Sequence, residues 1–281
     1  MARRQIGEVR ELWRYPVKSM LGEKLDQFVA TEGGVIGDRA WALRDPGSGN
    51  IVSAKKWPAL LDFAARYQTP PNDGTGDVLI RLPDGKATRV DDPQASSMIS
   101  EALGHQVKLE RVQPGVKSKA EIDTSTIFGD VRVETLFPQW TAATMPNVFK
   151  LPLGTFFDSA IIHVLASGTL EHLRSLSPKG CVIDPRRYRP NIFIQTLPEL
   201  TGFVEDAWCD GHSLEVGEAL RIVAMQPALR CVMTTHRQSD IPRDLSVLRT
   251  AARHHAANVG VFASVGSPGA VRVGDPVFLA G

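Results

Sequence analysis

The stretch IGEVRELWRYPVKSM, residues 6–20, decides the predicted fold at the start of the chain. Residues 6–15 are predicted to form a strand, and Pro16 ends it because proline has no backbone N–H for a strand ladder. Lys18 and Ser19 then lie in the turn that follows. An ammonium group beside a hydroxyl suits a bound phosphate. A solvated loop is the alternative, and this segment alone favours that alternative.

Short strands separated by turns continue outward from this stretch through the first hundred residues. The further predicted strands are residues 24–30, 40–44, 78–82 and 87–90. The last two flank PDGK, residues 83–86, a hairpin turn in which Asp and Gly accept the required backbone conformation. A helix is predicted from Asp92 to Gly104, because Asp92 can cap it, Pro93 suits its first position and Gly104 can end it.

The second half of the chain begins with a change of pattern. Residues 117–155 lose their periodicity and contain Pro138, Pro146 and Pro152, which predicts a long irregular connection between two lobes. Beyond it, the predicted strands are residues 160–165, 191–195, 219–225, 259–264, 270–273 and 276–279. The predicted helices are residues 169–176 and 244–255. The fold class is therefore α+β, strand-rich, and built on barrels or strongly curled sheets.

Composition narrows the functional classes. The chain has 281 residues, 43% of them hydrophobic and 22% charged, as expected for a globular protein with its own core. The 32 Lys and Arg residues nearly balance the 31 Asp and Glu residues, so the net charge of +1 indicates neither a nucleic acid nor a membrane partner. The charged N-terminus and the lack of a long apolar run predict no signal peptide or membrane helix. The odd number of widely spaced cysteines, 3, indicates a reducing, cytoplasmic setting.

Familiar catalytic motifs are missing from the sequence. It contains no GxGxxG, GxxxxGK, HExxH or GxSxG pattern. The histidines do not have a metal-ligand spacing, since His254 and His255 are adjacent and point to different sides of a helix. The aromatic residues are scattered among apolar neighbours and are interpreted as core rather than as a platform for bases.

Two polar segments stand in strand-like surroundings and carry candidate anion-binding groups. In GDRAW, residues 37–41, Asp38 and Arg39 enter a half-buried strand. They form a structural pair, or Arg39 faces a bound anion. In RRYRPNIFI, residues 186–194, Arg189 and Asn191 are two apart and share one face of an extended segment. Together they suit a phosphate and the edge of a heterocycle, and a positively charged surface turn is the alternative.

The fourth candidate segment contains Cys231. It lies in RCVMTT, residues 230–235, between an apolar strand and a polar loop. The neighbouring Arg230 favours the thiolate form, which is the form that attacks or binds metals. An isolated cysteine is more often a small buried hydrophobic residue, and this segment by itself favours that interpretation.

Taken together and in order, these segments resemble the family of molybdenum cofactor sulfurase C-terminal domain proteins, known as MOSC proteins. The motifs that carry the resemblance are LWRYPVKS (12–19), GDRAW (37–41), GTFFD (154–158), HVL (163–165), RRYRPN (186–191), RCVMTT (230–235) and VGDPV (273–277). The resemblance spans nearly the whole chain. It implies an N-terminal MOSC β-barrel domain at residues 1–116 and a MOSC domain at residues 117–281.

The resemblance also implies the molybdenum cofactor, molybdopterin with its metal, and a set of residues around it. In relatives that carry this cofactor, the cysteine of the Arg-Cys-x-x-Thr-Thr motif ligates molybdenum, so Cys231 is the expected metal ligand and catalytic residue. The residues expected around the pterin and its phosphate are Lys18, Ser19, Arg39, Arg189, Asn191 and Arg230. Ser167 and Thr169 follow the HVL motif, where they can donate to a phosphate at a helix N-terminus.

The function implied by this resemblance is that of an oxidoreductase similar to the amidoxime-reducing components. It would reduce small N-hydroxylated compounds such as amidoximes, hydroxylamines and N-oxides, with electrons from a separate flavin or iron–sulfur donor. The alternative is a sulfur-transfer or cofactor-carrier protein, in which Cys231 holds a persulfide or the cofactor in transit. A third interpretation is a pyridoxal phosphate protein with Lys18 as the Schiff base.

Overall fold

A computed structural model describes residues 3–72, 76–209 and 211–281 of the chain. The strands are β1 Arg4–Arg14, β2 Glu23–Leu25, β3 Gln27–Thr31, β4 Gly34–Val35, β5 Trp41–Arg44, β6 Ala64–Tyr67, β7 Val78–Arg81, β8 Ala87–Arg89, β9 Lys108–Arg111, β10 Lys119–Glu121, β11 Val148–Lys150, β12 Ile162–Ala166, β13 Ile192–Thr196, β14 Ser213–Val216, β15 Leu220–Leu229, β16 Asn258–Ser267, β17 Gly269–Arg272 and β18 Pro276–Ala280. The α-helices are α1 Ala95–Leu103, α2 Val133–Leu136, α3 Ser167–Leu176 and α4 Ser246–His255. Short 3₁₀ helices occupy Pro58–Asp62, Pro185–Tyr188, Val204–Trp208 and Val232–Thr235.

Seven strands close into a barrel in the order β13, β12, β16, β15, β14, β18 and β1, and β1 pairs back to β13. Only the β12–β13 pair in this ring is parallel. Alternate side chains of the strands point inward and pack a core that includes Ile6, Leu12, Ile194 and Ile222. The strand-rich α+β fold with a β-barrel predicted from the sequence is confirmed.

The first strand closes the barrel and therefore lies between two strands from the other end of the chain. In β1, Leu12 pairs with Ile192 of β13, and Arg4 pairs with Leu279 of β18. Gly7 lies where β13 comes closest, because a Cβ atom at this position would be 2.1 Å from the carbonyl oxygen of Gln195. The N-terminal strand is thus part of the C-terminal barrel.

A second lobe packs beside the barrel around its own core. Its sheets are β5–β9 and β6–β7–β8, and its core includes Leu43, Leu61, Phe63 and Ile80. The predicted β7–β8 hairpin and the predicted helix are both present, and Gly104 ends α1 with a left-handed φ of 73°. The domain boundary between residues 116 and 117 stays a prediction.

The structure contains several strands that were not predicted from the sequence, among them β4, β6 and β9. Residues 117–155 contain the short hairpin β10–β11 and the one-turn helix α2, and Ala120 and Leu151 are buried beside Ile51 of the second lobe. Strand β14 was not predicted at all. Strands β10, β11 and β14 are only three or four residues long, and such lengths are too short for a periodic sequence pattern to reveal a strand. None of the helices in the described ranges is long and apolar enough to cross a membrane.

Candidate functional site

A cavity of about 480 Å³ lies between the barrel and the second lobe, and most of the predicted site residues line it. The predicted residues in its wall are Lys18, Ser19, Arg39, Arg189, Asn191, Arg230 and Cys231. Charged or polar residues in the wall that were not predicted as site residues are Lys55, Asp158, Ser159, His163, Arg187, Tyr188 and Gln226. Six of the lining side chains are cationic and one is a carboxylate, so the cavity is suited to an anion.

Cys231 lies between the end of β15 and the 3₁₀ helix Val232–Thr235, with its thiol half-buried and in no disulfide. The backbone is fixed on both sides of it. The N–H of Arg230 donates to Ala257 O at 2.8 Å, and the N–H of Val232 donates to Ile127 O at 2.7 Å. Thr234 adds a hydroxyl bond to the carbonyl of Cys231 at 3.0 Å. The two threonines of the motif therefore shape the turn that presents the thiol.

Arg187 stabilises the turn that contains Cys231. It is fully buried, and within the described part of the chain its guanidinium donates to four carbonyl oxygens, among them Thr234 O at 3.0 Å and Pro242 O at 2.7 Å. A buried arginine whose N–H groups donate to backbone carbonyls stabilises the fold and does not bind a ligand. The segment RRYRPN thus contributes both a scaffold residue and the cavity residue Arg189.

Three of the predicted residues stand on left-handed backbone. The φ angles of Ser19, Arg39 and Arg189 are 69°, 49° and 56°. This conformation costs free energy in residues with a Cβ atom and concentrates at functional sites. Here it turns three polar side chains into the same cavity from three separate loops.

Asp38 joins two of these loops. Its carboxylate is fully buried, pairs with Arg39, and accepts bonds from Tyr15 N at 2.7 Å and from Asn191 Nδ2 at 2.9 Å. Asn191 uses its own carbonyl to accept from His163 N at 3.1 Å. The amide of Asn191 therefore holds the site together, and Asp38 fixes the position of Arg39.

Two guanidinium groups pack against the ring of Tyr15. The Cζ atom of Arg39 is 4.5 Å from the ring centroid, and that of Arg189 is 4.1 Å away. Arg189 also donates to Met20 O at 2.7 Å. Burial, together with the charge of Arg39, lowers the pKa of Arg189 to about 10. Two cations held this close favour an anion between or beside them.

Lys18, Asp158 and Lys55 form a second charged group in the wall. Lys18 Nζ lies 2.5 Å from Asp158 Oδ1, and Lys55 Nζ lies 2.9 Å from Asp158 Oδ2. Burial lowers the pKa of Lys18 to about 8. Burial acts to raise the pKa of Asp158, but the two lysine charges outweigh it and hold that pKa below its ordinary value. The carboxylate stays ionised and keeps both ammonium groups in place.

Arg230 carries a polar atom that the described protein leaves unpaired. Its Nη2 donates to Tyr188 O at 2.7 Å, and its Nη1 is 3.4 Å from His163 Nε2, but its buried Nε has no acceptor in the described residues. Burial and the charge of Arg230 lower the pKa of His163 well below its ordinary value, so this imidazole is neutral. A buried N–H donor without a partner fits a ligand that supplies an acceptor.

Ser167 and Thr169 do not line the cavity, so the structure does not bring them together with the other predicted site residues. Ser167 Oγ accepts from Thr196 N at 3.0 Å, and Thr169 Oγ1 donates to the carboxylate of Glu205. Glu205 also accepts from Ala166 N at 2.7 Å. The protein's own carboxylate therefore occupies the N-terminus of α3, where the sequence suggested a phosphate. Burial raises the pKa of Glu205 to about 7.

Another part of the cavity wall is apolar and comes from the connection at residues 117–155. Its lining side chains are Ile122, Ile127, Phe128, Trp140, Met145, Pro146 and Phe149. No periodic pattern marks these residues, so the sequence offered no signal for them. The cavity thus has a cationic half and an apolar half that can hold an organic molecule, and Cys231 packs against the apolar residues.

Comparisons with known proteins found two family models that together match most of the chain, and several similar proteins. The family of MOSC N-terminal beta barrel domains matches residues 6–116, and the MOSC domain family matches residues 154–278. Mitochondrial amidoxime-reducing component 1 of Mus musculus is 23% identical over 302 residues, which is 99% of this chain and 83% of that protein. The corresponding protein of Homo sapiens is 22% identical over 309 residues, covering 99% and 84%.

Two further relatives extend the comparison. Mitochondrial amidoxime reducing component 2 of Bos taurus is 24% identical over 306 residues, covering 98% of this chain and 83% of that protein. The crystal structure of the YUAD protein from Bacillus subtilis superposes with a TM-score of 0.50 at 12% identity, covering 99% of this chain and 97% of that one. At that identity the structural likeness concerns the fold alone.

Proposed function

Since this chain belongs to the MOSC family, with a MOSC N-terminal β-barrel domain ahead of its MOSC domain, we propose that it binds the molybdenum cofactor as an oxidoreductase. It reduces N-hydroxylated compounds such as amidoximes, hydroxylamines and N-oxides, and a separate flavin or iron–sulfur protein supplies the electrons. The names of its relatives, the amidoxime-reducing components, support the N-reductive activity. The observation that carries the proposal is a cationic cavity around a half-buried thiol, with a buried donor of Arg230 that has no acceptor among the residues the structure describes.

The residues of the cavity fit this cofactor by charge and by ligand type. The thiolate of Cys231 is a soft ligand for the metal. Lys18, Ser19, Arg39 and Arg189 suit the phosphate, and the free Nε of Arg230 suits an acceptor atom of the pterin. When bound, the cofactor supplies the two-electron redox chemistry.

The rest of the cavity binds and orients the substrate. The apolar wall, with Phe128, Trp140 and Phe149, packs against its organic part and excludes water. The N–O group then faces the polar half of the cavity. In the overall reaction the N–O bond breaks, two electrons and two protons are consumed, and the oxygen leaves as water.

Metal analysis and turnover test the proposal. We expect the purified protein to hold close to stoichiometric molybdenum, and Cys231→Ala to lose most of it and all turnover, because the substitution removes the only proposed protein ligand. Molybdenum is measured by mass spectrometry, and turnover by the oxidation of reduced viologen with benzamidoxime or dimethylaniline N-oxide. Cys181→Ala, which changes a half-buried thiol outside the cavity, is the control.

Two outcomes would contradict the proposal. A cofactor-loaded protein that oxidises no reduced viologen with any of these compounds is not this reductase. Release of sulfur from Cys231 by cyanide, without turnover, would instead support the sulfur-transfer or cofactor-carrier alternative.

A further inference from the structure

Lys55 lies at the boundary between the two halves of the cavity. Its Nζ is 2.9 Å from Asp158 Oδ2 on the polar side and 4.7 Å from the ring centroid of Phe149 on the apolar side. The side chain is only 12% exposed. Its ammonium group therefore sits where the organic part of a bound molecule would meet the charged part of the site.

The hydrogen bonds of Lys55 are fewer than those of its neighbour Lys18. Lys18 donates to Phe156 O at 2.6 Å and to Asp158 at 2.5 Å. Within the described residues Lys55 has one oxygen partner, the carboxylate of Asp158. An ammonium group has three N–H donors. Lys55 thus retains donor capacity at a half-buried position in the cavity wall, where a ligand can accept a hydrogen bond.

We propose that Lys55 contacts the substrate and donates a hydrogen bond to the oxygen of its N–O group. This inference rests on the proposed function. An N-oxide or N-hydroxyl compound with an aromatic body carries one strongly accepting oxygen, next to the bond that breaks. With the ring against Phe149 and its neighbours, that oxygen comes within reach of Lys55 on the side of Cys231.

The hydrogen bond assists the reaction without changing its balance. It withdraws charge from the oxygen as the N–O bond lengthens, and this interaction strengthens as negative charge develops on the oxygen. The nitrogen is reduced by the two electrons from the separate donor. The oxygen leaves as water with two protons taken from solvent, and Lys55 remains an ammonium group throughout.

Equilibrium binding of a matched ligand pair to the cofactor-loaded, oxidised protein tests the contact without turnover. The ligands are dimethylaniline N-oxide and dimethylaniline, which share the apolar body and differ in the oxygen. We expect Lys55→Met to weaken binding of the N-oxide by roughly tenfold to hundredfold, the range for a hydrogen bond to a charged group. Binding of dimethylaniline should not change, and Lys55→Arg should retain most of the affinity for the N-oxide.

Lys56→Met is the matched control, because Lys56 is the next residue, is exposed, and pairs with Glu121 at 2.7 Å. It should leave the affinity for both ligands unchanged. Lys55→Gln serves as a second variant that keeps a polar side chain should the methionine variant fold poorly. Calorimetry gives the affinities, and mass spectrometry gives the molybdenum content of each variant.

Three results would overturn the inference. The first is equal weakening of both ligands in Lys55→Met, and the second is no change for the N-oxide. The third is loss of molybdenum in Lys55→Met, which would assign Lys55 to the cofactor instead. A wild-type protein that binds the N-oxide through Lys55 but never reduces it would refute the proposed function and leave the contact standing.

Discussion

At the scale of single residues, the cavity is built on backbone that its side chains do not favour. Ser19, Arg39 and Arg189 are three of the six residues other than glycine that have a positive φ in the described ranges. The left-handed conformation costs roughly 1–2 kcal/mol for a residue with a Cβ atom. Three such residues lower the stability of the folded protein, and their backbone conformation directs their polar groups into the same cavity.

Substitution of Ser19 separates this backbone cost from the role of the hydroxyl. Ser19→Gly and Ser19→Ala both remove the hydroxyl, but only glycine accepts the φ of 69° without strain. We expect the cofactor-free glycine variant to be about 1 kcal/mol more stable than the alanine variant. Both variants should lose cofactor to a similar extent. Urea unfolding of the cofactor-free proteins gives the first quantity, and molybdenum retention gives the second. A more stable alanine variant would show that Ser19 does not occupy the left-handed region.

At the scale of secondary structure elements, the start of α3 shows how the protein supplies its own anion. Helix N-termini attract negative charge, and the sequence suggested a phosphate at Ser167 and Thr169. The 3₁₀ helix Val204–Trp208 instead places the buried carboxyl of Glu205 there. The N-terminus of α3 thus does interact with an acidic group, but this group belongs to a distant segment of the same chain.

The buried carboxyl of Glu205 makes a specific contribution to the pH dependence of stability. Burial raises its pKa from 4.5 to about 7, so the folded state holds a proton that the unfolded state releases. The contribution is fully present below pH 4.5, and it is lost as the pH rises through about 7. At the ordinary 1.36 kcal/mol per pKa unit, the loss is about 3 kcal/mol.

Glu205→Gln tests this contribution. The variant should lack the loss of stability between pH 4.5 and about 7 that the wild-type protein shows, because an amide does not titrate. The free energy of unfolding is measured by urea titration at several pH values, and the difference between the two proteins isolates Glu205 from the buried histidines. Parallel pH profiles for the two proteins would contradict the prediction. Glu199→Gln, on the exposed surface, is the control.

At the scale of the whole molecule, the cavity depends on the pairing of the N-terminal strand with strands from the C-terminal part of the chain. Lys18, Arg39 and Lys55 come from the first part of the sequence, and Arg189 and Cys231 come from the second. Strand β1 connects them, because it closes the barrel against β13 and β18 and leads directly into the turn with Lys18. Neither matched domain region alone contains all of these residues.

Gly7→Ala tests this dependence of the site on barrel closure. The added Cβ atom would lie 2.1 Å from the backbone oxygen of Gln195, so β1 must shift away from β13. We expect a loss of about 1–3 kcal/mol of unfolding free energy, the range for overpacking, together with weaker cofactor retention. Gly33→Ala is the control, since its nearest heavy atom would be the flexible Thr31 Oγ1 at 3.7 Å. Unchanged stability and cofactor retention in Gly7→Ala would show that β1 and β13 accommodate the added Cβ atom without a loss of unfolding free energy.

The sequence by itself determined the strand-rich class, the family and several of the segments that contribute to the cavity. Lys18 and Ser19 follow a strand broken by Pro16, and Cys231 follows an apolar strand, so local pattern and motif placed these groups at strand ends. Their roles toward a cofactor, and the cytoplasmic location, stay predictions.

Only the tertiary structure decided which of these groups share one volume and what else enters it. Nothing in the run SAKKW, residues 53–57, distinguishes Lys55 from Lys56, yet Lys55 is half-buried beside Asp158 and Lys56 is exposed. Glu205 accepts hydrogen bonds at the start of α3 although it lies 36 residues beyond Thr169. Such proximity depends on the closure of β1 against β13 and on the packing of residues 117–155. These are long-range contacts, and a local sequence pattern carries no record of them.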